Sequence, residues 1–321
     1  MIETRLLRNA LKLAKCRNFA RAAEELHISQ PTLSRSIQLL EKIVGERLFD
    51  RTTRTILPTK TGEIVLKHAS IIVASGRALQ EEVGRHQGLT EGSLFIGTGP
   101  YAGTELIAPA IGRFSGQFPD INIEIRVGDW RKLPRRWTQE DFDFLVVETS
   151  ELADSPDFEI TRLIRHPAFF LCRKNHPLFE KDSLAIHDLS LYPMVSPALP
   201  RRLIGSFSKL LFPDRDTDLP FINVQKITCN DLGAIKATLL ESDSIGIATL
   251  GIVAQELECD LLKALPFRVK ALSTDHHIVK RKGVSLSPSA RAFIEILLEV
   301  DKERSVMEAD LVESLGPDIT I

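Results

Sequence analysis

Between Phe19 and Val44 the chain leaves few folds open. Phe19–Leu26 (FARAAEEL) reads as a short helix whose Ala22-Ala23 pair lets another helix pass close, and His27-Ile28-Ser29 makes a tight break. Ser29 is a good N-cap and Pro31 sits in a first turn that needs no amide donor. Leu33, Ile37, Leu40 and Val44 then give the next helix one apolar stripe, ended by Gly45. Two helices joined by so short a turn, the second presenting Gln30, Thr32, Ser34, Arg35 and Gln38, form a helix-turn-helix pattern. Hydroxyls and amides reach phosphates or base edges, and a guanidinium pairs with the two acceptors of guanine. Ahead of this unit, Leu6, Leu7, Ala10, Leu11 and Ala14 recur on one face and predict a helix from 4 to about 16. Behind it, 48–58 (LFDRTTRTILP) reads as a short hairpin anchored by Phe49 and Leu57, with Arg51 and Arg54 exposed. Such a wing lays its arginines along the phosphate backbone or in the minor groove.

The net charge of −2 over 321 residues, taken whole, argues against a polyanionic partner. Its distribution argues the reverse. Residues 1–90 hold 15 Lys and Arg against 9 Asp and Glu, a balance of +6, and the remainder carries −8. A basic head on an acidic body suits a head that meets nucleic acid. The length allows two or three domains with cores of their own, and the composition excludes disordered and fibrous classes. Cys16, Cys172, Cys229 and Cys259 include no close pair, so neither a zinc site nor a disulfide framework is indicated. They read as reduced, mostly packed thiols. No stretch reaches the roughly 20 apolar residues of a membrane span, and the first residues lack the apolar run of a signal peptide. The expectation is a cytoplasmic protein with no membrane partner.

The ordered set Ala22-Ala23, Ser29-Gln30-Pro31, Ser34-Arg35, Ile37, Leu40-Glu41, Gly45, Leu48-Phe49, Arg51, Arg54 and Thr59 with Gly62 closely resembles the winged helix-turn-helix of LysR-type transcriptional regulators. So many elements in order make a specific signal, unlike one short motif. The resemblance implies that Gln30, Pro31, Thr32, Ser34 and Arg35 face the major groove of operator DNA, with Arg51 and Arg54 on the wing. Ser29 and Gln38 complete the expected DNA-binding set. On spacing alone, a solvated polar face of an ordinary helical bundle is the alternative.

From Thr59 to about Gly88 there is no proline, and Val65, Ala69, Ile72, Gly76, Leu79 and Val83 follow the 4-3-4-3-4 spacing of an a/d seam. A helix of roughly 25–30 residues spans on the order of 40 Å and needs something to cover such a seam. That partner is either its own domain or, as the resemblance implies, a second copy. A homodimer, or a homotetramer built from two, would present paired recognition helices to two half-sites. Gly88–Gly92 (GLTEG) breaks the pattern and marks a boundary, giving a DNA-binding domain over 1–58, a linker helix over 59–88 and a body over 92–300.

In the body, strand-like runs alternate with helical ones. Ser93–Thr98, Ile121–Val127, Phe142–Val147, Phe169–Cys172, Asn223–Thr228, Ser244–Thr249 and His277–Val279 read as strands. Thr104–Gln117, Leu203–Leu211, Asp231–Leu240 and Ser289–Val300 read as helices, so the body is α/β with a mainly parallel sheet. Phe118-Pro119, Phe142-Asp143, Asn175-His176-Pro177-Leu178, Ile245-Gly246-Ile247 and Leu286-Ser287-Pro288 resemble the LysR-type effector-binding region. The resemblance implies the two-lobed fold of type 2 periplasmic binding proteins, with lobe I over about 92–162 and 268–300 and lobe II over about 163–267. Residues 301–321 match nothing and read as a loose tail. The segment Trp130–Asp141 (WRKLPRRWTQED) is more basic and richer in Trp than the family pattern. Its Arg131-Lys132 and Arg135-Arg136 pairs could touch DNA or an anionic partner, against a solvated surface patch as the plainer reading.

Two such lobes, crossed twice by the chain, leave a cleft at the strand C-termini. Candidate effector contacts are Thr98, Gly99, Pro100, Tyr101 and Thr104, where a helix N-terminus would suit an anion such as a carboxylate, together with Glu148, Thr149, Ser196, Thr228, Asn230 and Thr249. Enzyme readings find no support: GTGPYAG lacks the dinucleotide-binding spacing, and neither a P-loop nor a G-x-S-x-G elbow is present. His166, His176, His187 and the His276-His277 pair show no metal-ligand spacing and read as neutral packing or solvent residues. No catalytic residue, metal or cofactor is expected. The sequence thus reads as a DNA-binding regulator that answers to a small, anionic effector and meets RNA polymerase if it activates. A small-molecule sensor without DNA function is the alternative.

Overall fold

The computed structural model describes residues 2–51, 56–86, 92–137, 142–150, 152, 156–212, 225–314 and 319–320. Three helices open the chain, α1 (Thr4–Cys16), α2 (Phe19–Glu25) and α3 (Gln30–Val44). The Ser29 hydroxyl accepts from the Thr32 amide to start α3, and Gly45 ends it at φ 89°, a left-handed position that glycine takes without strain. The stripe expected from the sequence closes the head: Leu6, Leu7, Ala10, Ala22, Ala23, Leu33, Ile37 and Leu40 are all buried together. The wing is a two-stranded ribbon, β1 (Phe49–Arg51) and β2 (Ile56–Pro58), in which Phe49 opposes Pro58 and Asp50 opposes Leu57. That register corrects one expectation. Phe49 anchors the wing at 1% exposure, but Leu57 sits on the opposite face of the ribbon and is 44% exposed; its neighbour Ile56 packs on the core instead.

Helix α4 (Lys60–His86) leaves the head beside Leu48, where a Cβ on Gly62 would collide with the Leu48 carbonyl. Its first turns are held by the molecule itself. Leu66 and Ala69 are buried in the head core, Lys67 Nζ meets Asp157 Oδ1 at 2.5 Å, and Arg281 donates to Ser70 Oγ. The a/d seam is therefore split: Ala69 is fully covered and Val65 half-covered within the chain, while Ile72, Leu79 and Val83 stand exposed. Gly76 has open space where a Cβ would be.

The first sheet contains β3 (Gly92–Thr98), β4 (Ile121–Val127), β5 (Phe144–Glu148) and β6 (Phe158–Arg162). Between β3 and β4 the chain runs through α5 (Pro100–Ala102), one π turn (Gly103–Ile107) and α6 (Ala108–Gln117); α7 (Leu133–Arg136) follows β4. The second sheet contains β7 (Ala168–Arg173), β8 (Met194–Ser196), β9 (Gln225–Thr228), β10 (Ile245–Thr249) and β11 (Leu262–Ala264). Its helices are α8 (Arg201–Leu211), α9 (Leu232–Glu241) and α10 (Ala254–Glu258). The chain then passes β12 (Phe267–Arg268) and returns to the first sheet as β13 (His276–Arg281). The strand orders are β4-β3-β5-β13-β6 and β11-β7-β10-β8-β9.

Both sheets are mixed rather than mainly parallel. In each, three strands joined by helical crossovers run parallel, and the strand that enters from the other lobe pairs antiparallel: β13 on β5, and β7 on β10. The two crossings lie side by side as a ribbon, with Leu163 N donating to His276 O, Thr274 N to His166 O and Ala168 N to Leu272 O.

The end of the chain overturns the loose-tail expectation. Helix α11 (Pro288–Ser314) does not stop at Val300 but runs fourteen residues further, with Asp301 and Glu308 fully buried. A final strand, β14 (Ile319–Thr320), pairs in parallel with β12. The cysteines also differ from expectation: only Cys172 is fully packed, its thiol pushed up to about 12 chiefly by burial, while Cys259 is exposed.

Candidate DNA-binding face and interlobe cleft

On α3, Gln30, Pro31, Thr32, Arg35 and Gln38 are exposed and Ser34 is half-buried, so the expected row forms one accessible face. Ser29 and Thr32 share a 2.7 Å hydroxyl contact at its N-terminal end. Beneath it, Asn9 Nδ2 donates to Ser36 Oγ at 2.7 Å and fixes α3 against α1. On the wing, Arg51 lies in β1, and Arg54 falls outside the described residues.

Between the lobes is a cleft walled by Gly99, Pro100, Tyr101, Trp130 and Glu148 from lobe I and by Pro197–Pro200, Arg202, Leu203, Ile247–Thr249 and Leu272–Thr274 from lobe II and the crossing ribbon. Hydrogen bonds span it. The Tyr101 hydroxyl donates to Ile247 O, Trp130 Nε1 to Ala198 O at 2.9 Å, and Arg202 Nη2 to Glu148 Oε2 at 2.8 Å. Arg202 Nη2 also reaches Ser273 O at 2.9 Å. Burial pushes the Tyr101 phenol well up, and the Glu105 charge adds to it, so it stays a donor.

Of the residues expected to meet an effector, the structure gathers Gly99, Pro100, Tyr101, Thr249 and Glu148 on this cleft. The others point elsewhere. Thr98 is buried with its hydroxyl on Val146 O, Thr149 bonds the His277 ring, and Ser196 donates to Pro197 O. Thr104, Thr228 and Asn230 are exposed away from it. The expected anion cradle at the helix N-terminus is also poorer than the sequence suggests. Pro100 has no amide hydrogen, Gly99 gives its own to Val146 O, and the helix widens to a π turn at Gly103. Trp130, Arg202, Leu203, Leu272 and His276 line the cleft without having been expected there. For Leu199 and Arg202 the sequence did hold a signal, since Pro197–Pro200 follows a strand end; His276 gave none. In the basic segment, Trp130 and Trp137 are both buried, and Arg131 is clamped on Asp129.

Directly behind the cleft lies a buried ionic cluster. His166, at 1% exposure on the crossing ribbon, sits between Asp301 Oδ1 at 2.9 Å and Glu308 Oε2 at 2.7 Å, both from the extension of α11. Burial alone would push the imidazole down. The hydrogen bonds to Asp301 and Glu308 outweigh it, the charges of Glu308 and Glu105 add, and the ring is raised to about 10. His166 is thus a buried cation, which corrects the neutral reading. Glu105, accepting from Thr249 Oγ1 at 2.6 Å, is raised to about 8 by burial and by the facing Glu308. Glu105 Oε2 and Glu308 Oε1 have no other hydrogen-bond partner among the described residues, and a single proton on Glu105 shared with Glu308 satisfies both. His276 behaves oppositely: burial, with the His166, His277 and Arg202 charges, brings it down to about 4. His176, by contrast, is a packing residue, accepting from Leu178 N.

A winged helix-turn-helix on a long helix, followed by a two-lobed α/β body with a closed cleft, is the architecture of a ligand-responsive DNA-binding regulator. The comparisons agree. Residues 4–63 match the bacterial regulatory helix-turn-helix model of the LysR family, and residues 87–302 match the LysR substrate binding domain. The chain belongs to the LysR family of transcriptional regulators. It is 35% identical to the SDS degradation transcriptional activation protein of a Pseudomonas species, over 94% of this chain and 97% of that one. Full-length OxyR from Pseudomonas aeruginosa shares the fold at a TM-score of 0.68 and 19% identity, covering 94% of this chain and 95% of its own. Full-length CbnR in complex with its target DNA gives a TM-score of 0.50 at 18% identity, covering 94% and 100%. Among the described residues no helix is long and apolar enough to cross a membrane, and no group of three or more His, Cys, Asp or Glu is placed to hold a metal.

Proposed function

We propose that this regulator works in the cytoplasm as a homodimer, or a tetramer of two dimers, that reads operator DNA through α3 and the wing. A small anionic effector in the interlobe cleft sets how the two heads are spaced. The observation that carries the DNA contact is the exposed row Gln30, Thr32, Arg35 and Gln38 on a helix whose opposite face is locked into the head core. CbnR, of like fold, is known in complex with its target DNA, which supports the same use of the head. The relative at 35% identity is named for activating SDS degradation, which fits a negatively charged effector. A contact with RNA polymerase belongs to this reading if the protein activates, and no cofactor is required by it.

Effector and DNA can influence one another only through an element whose position both bias. Arg281 on β13 is such an element: it donates to Ser70 Oγ on α4 and to Trp137 O at 2.5 Å, and lies over the Trp137 ring. It joins lobe I to the helix that carries the head.

Arg35→Ala is expected to weaken operator binding by roughly ten- to a hundredfold, the worth of about 1–3 kcal/mol for one base-reading guanidinium. Non-specific DNA binding should change far less. A mobility shift on operator and on random duplex checks this, and equal loss on both would remove Arg35 from base reading. For the dimer, Ile72 and Leu79 are 48% and 63% exposed on α4, at the spacing of a helix seam. Ile72→Asp with Leu79→Asp should turn a dimer into a monomer in sedimentation velocity while leaving the circular dichroism of the chain unchanged.

A further inference from the structure

The cleft is oddly furnished for a small polar anion. Apolar residues make most of its wall, the large ones being Trp130, Pro197, Leu199, Leu203, Ile247 and Leu272. Its ionisable groups Glu148, Arg202 and His276 share one corner, because His276 is the ladder partner of Glu148 and Glu148 is the ion-pair partner of Arg202. In that corner two nitrogens are left over. Arg202 uses Nη2 on Glu148 and Ser273, but its Nε is buried with no hydrogen-bond partner among the described residues. Nδ1 of His276, a residue only 7% exposed, is likewise buried and unpartnered. Buried polar nitrogens without partners are uncommon in a folded protein and mark a place where something else completes the set.

We infer that the cleft takes an amphipathic monoanion, its sulfate or carboxylate head against Arg202 Nε and His276 Nδ1 and its alkyl or aryl body along the wall of Trp130, Leu199, Leu203 and Ile247. The inference rests on the reading of the cleft as the effector site and adds the ligand's chemical class. The guanidinium edge left free by Glu148 is a fixed donor, so it selects an acceptor, and an oxyanion is the strongest acceptor available to it. His276, held neutral by its burial, can donate from Nδ1 to the same head. A bare inorganic anion would leave the apolar wall wet. An alcohol would cover the wall but give Arg202 only a weak partner. Each methylene laid on the wall contributes roughly fourfold in affinity. The ligand must part the Tyr101–Ile247, Trp130–Ala198 and Arg202–Glu148 contacts or fit between them, so its arrival changes how the lobes sit and alters the surroundings of Trp130.

The test is calorimetric titration of the full chain, below micelle-forming concentrations, with octyl sulfate, octanoate, 1-octanol, butyl sulfate and inorganic sulfate. Tryptophan fluorescence is read in parallel. Octyl sulfate or octanoate is expected to bind at least tenfold more tightly than 1-octanol and than butyl sulfate, with no saturable signal from inorganic sulfate. Arg202→Met, which keeps the stem and removes the donor, should bring the octyl anions and 1-octanol to within about twofold of each other. Equal affinity for octanol and the octyl anions in the unaltered chain would overturn the head site, and equal affinity for butyl and octyl sulfate would overturn the apolar body. Octyl anions that bind as expected without altering operator mobility would uphold the ligand class and sink the effector reading. Operator binding that persists while no amphiphile binds would sink the ligand class alone.

Discussion

Replacing His166 with alanine is expected to destabilise the body by about 3–5 kcal/mol, the usual penalty for removing one partner of a buried ionic group. Among the described residues the imidazole is the only cation between Asp301 and Glu308 that is itself buried: the ring is 1% exposed and the two carboxyl residues 2% each. Without it, Asp301 retains the Ile164 amide at 2.8 Å, but Glu308 keeps only the proton it shares with Glu105 and no bonded cation. Arg304 approaches from the same helix, near Gly251, and does not replace a ring bonded to both acids. Urea unfolding of the full chain measures the loss. A cavity would also destabilise, and a second variant separates the two causes. Adding Asp301→Asn and Glu308→Gln to His166→Ala removes the uncompensated charge but not the void, so it should recover a large part of the loss. No recovery would mean that packing, not charge, is what His166 supplies.

This cluster also shows why part of the molecule was hidden in its sequence. The head was readable because its determinants are local: a cap at Ser29, a stop at Gly45 and an apolar stripe at helical spacing all lie within one short stretch. The wing was read one residue out of phase, because Leu57 is as apolar as Ile56 and only the pairing of Phe49 with Pro58 decides which faces inward. The seam of α4 was correct as a periodicity, but periodicity does not say that Ala69 is spent on the head while Ile72 and Leu79 are not. The tail failed for a different reason. Residues 301–314 (DKERSVMEADLVES) are mostly polar, and their buried members are acids. An acid reads as a surface residue until its counter-charge is known, and His166 lies 135 residues before Asp301 and 142 before Glu308. His276 was missed on the same ground, since the closing of two lobes, and not any local spacing, brings it to the corner that holds Arg202.

The same charges give the body an expected dependence on pH. Glu105 and His166 both hold a proton more tightly folded than unfolded, at about 8 and about 10 against ordinary values near 4.3 and 6.5. Their contribution is complete below the unfolded values and disappears as pH rises through the folded ones. His276 runs the other way: brought down to about 4, it contributes above roughly pH 6.5 and loses that contribution as pH falls toward 4. The gain from His276 and the loss from Glu105 oppose each other between about pH 4.5 and 6.5. Above that range the His276 gain is complete, and stability should fall by several kcal/mol between about pH 6.5 and 10, with unfolding releasing close to two protons up to pH 8 and close to one beyond it, until near pH 9 the Cys172 thiol, also raised in the fold, adds its own. Urea midpoints at pH 6.5, 8 and 10 follow the fall. Glu105→Gln tests its origin, because the amide imitates the protonated acid: its nitrogen can donate to Glu308 Oε1, and its oxygen can accept from Thr249. This variant should match the unaltered chain near pH 4, already be the more stable of the two at pH 6.5, and fall with only one proton's slope between 6.5 and 8, so that its advantage is larger still at pH 8. Identical profiles for the two proteins would show that Glu105 is already ionised in the fold, and that the proton between Glu105 and Glu308 is not there.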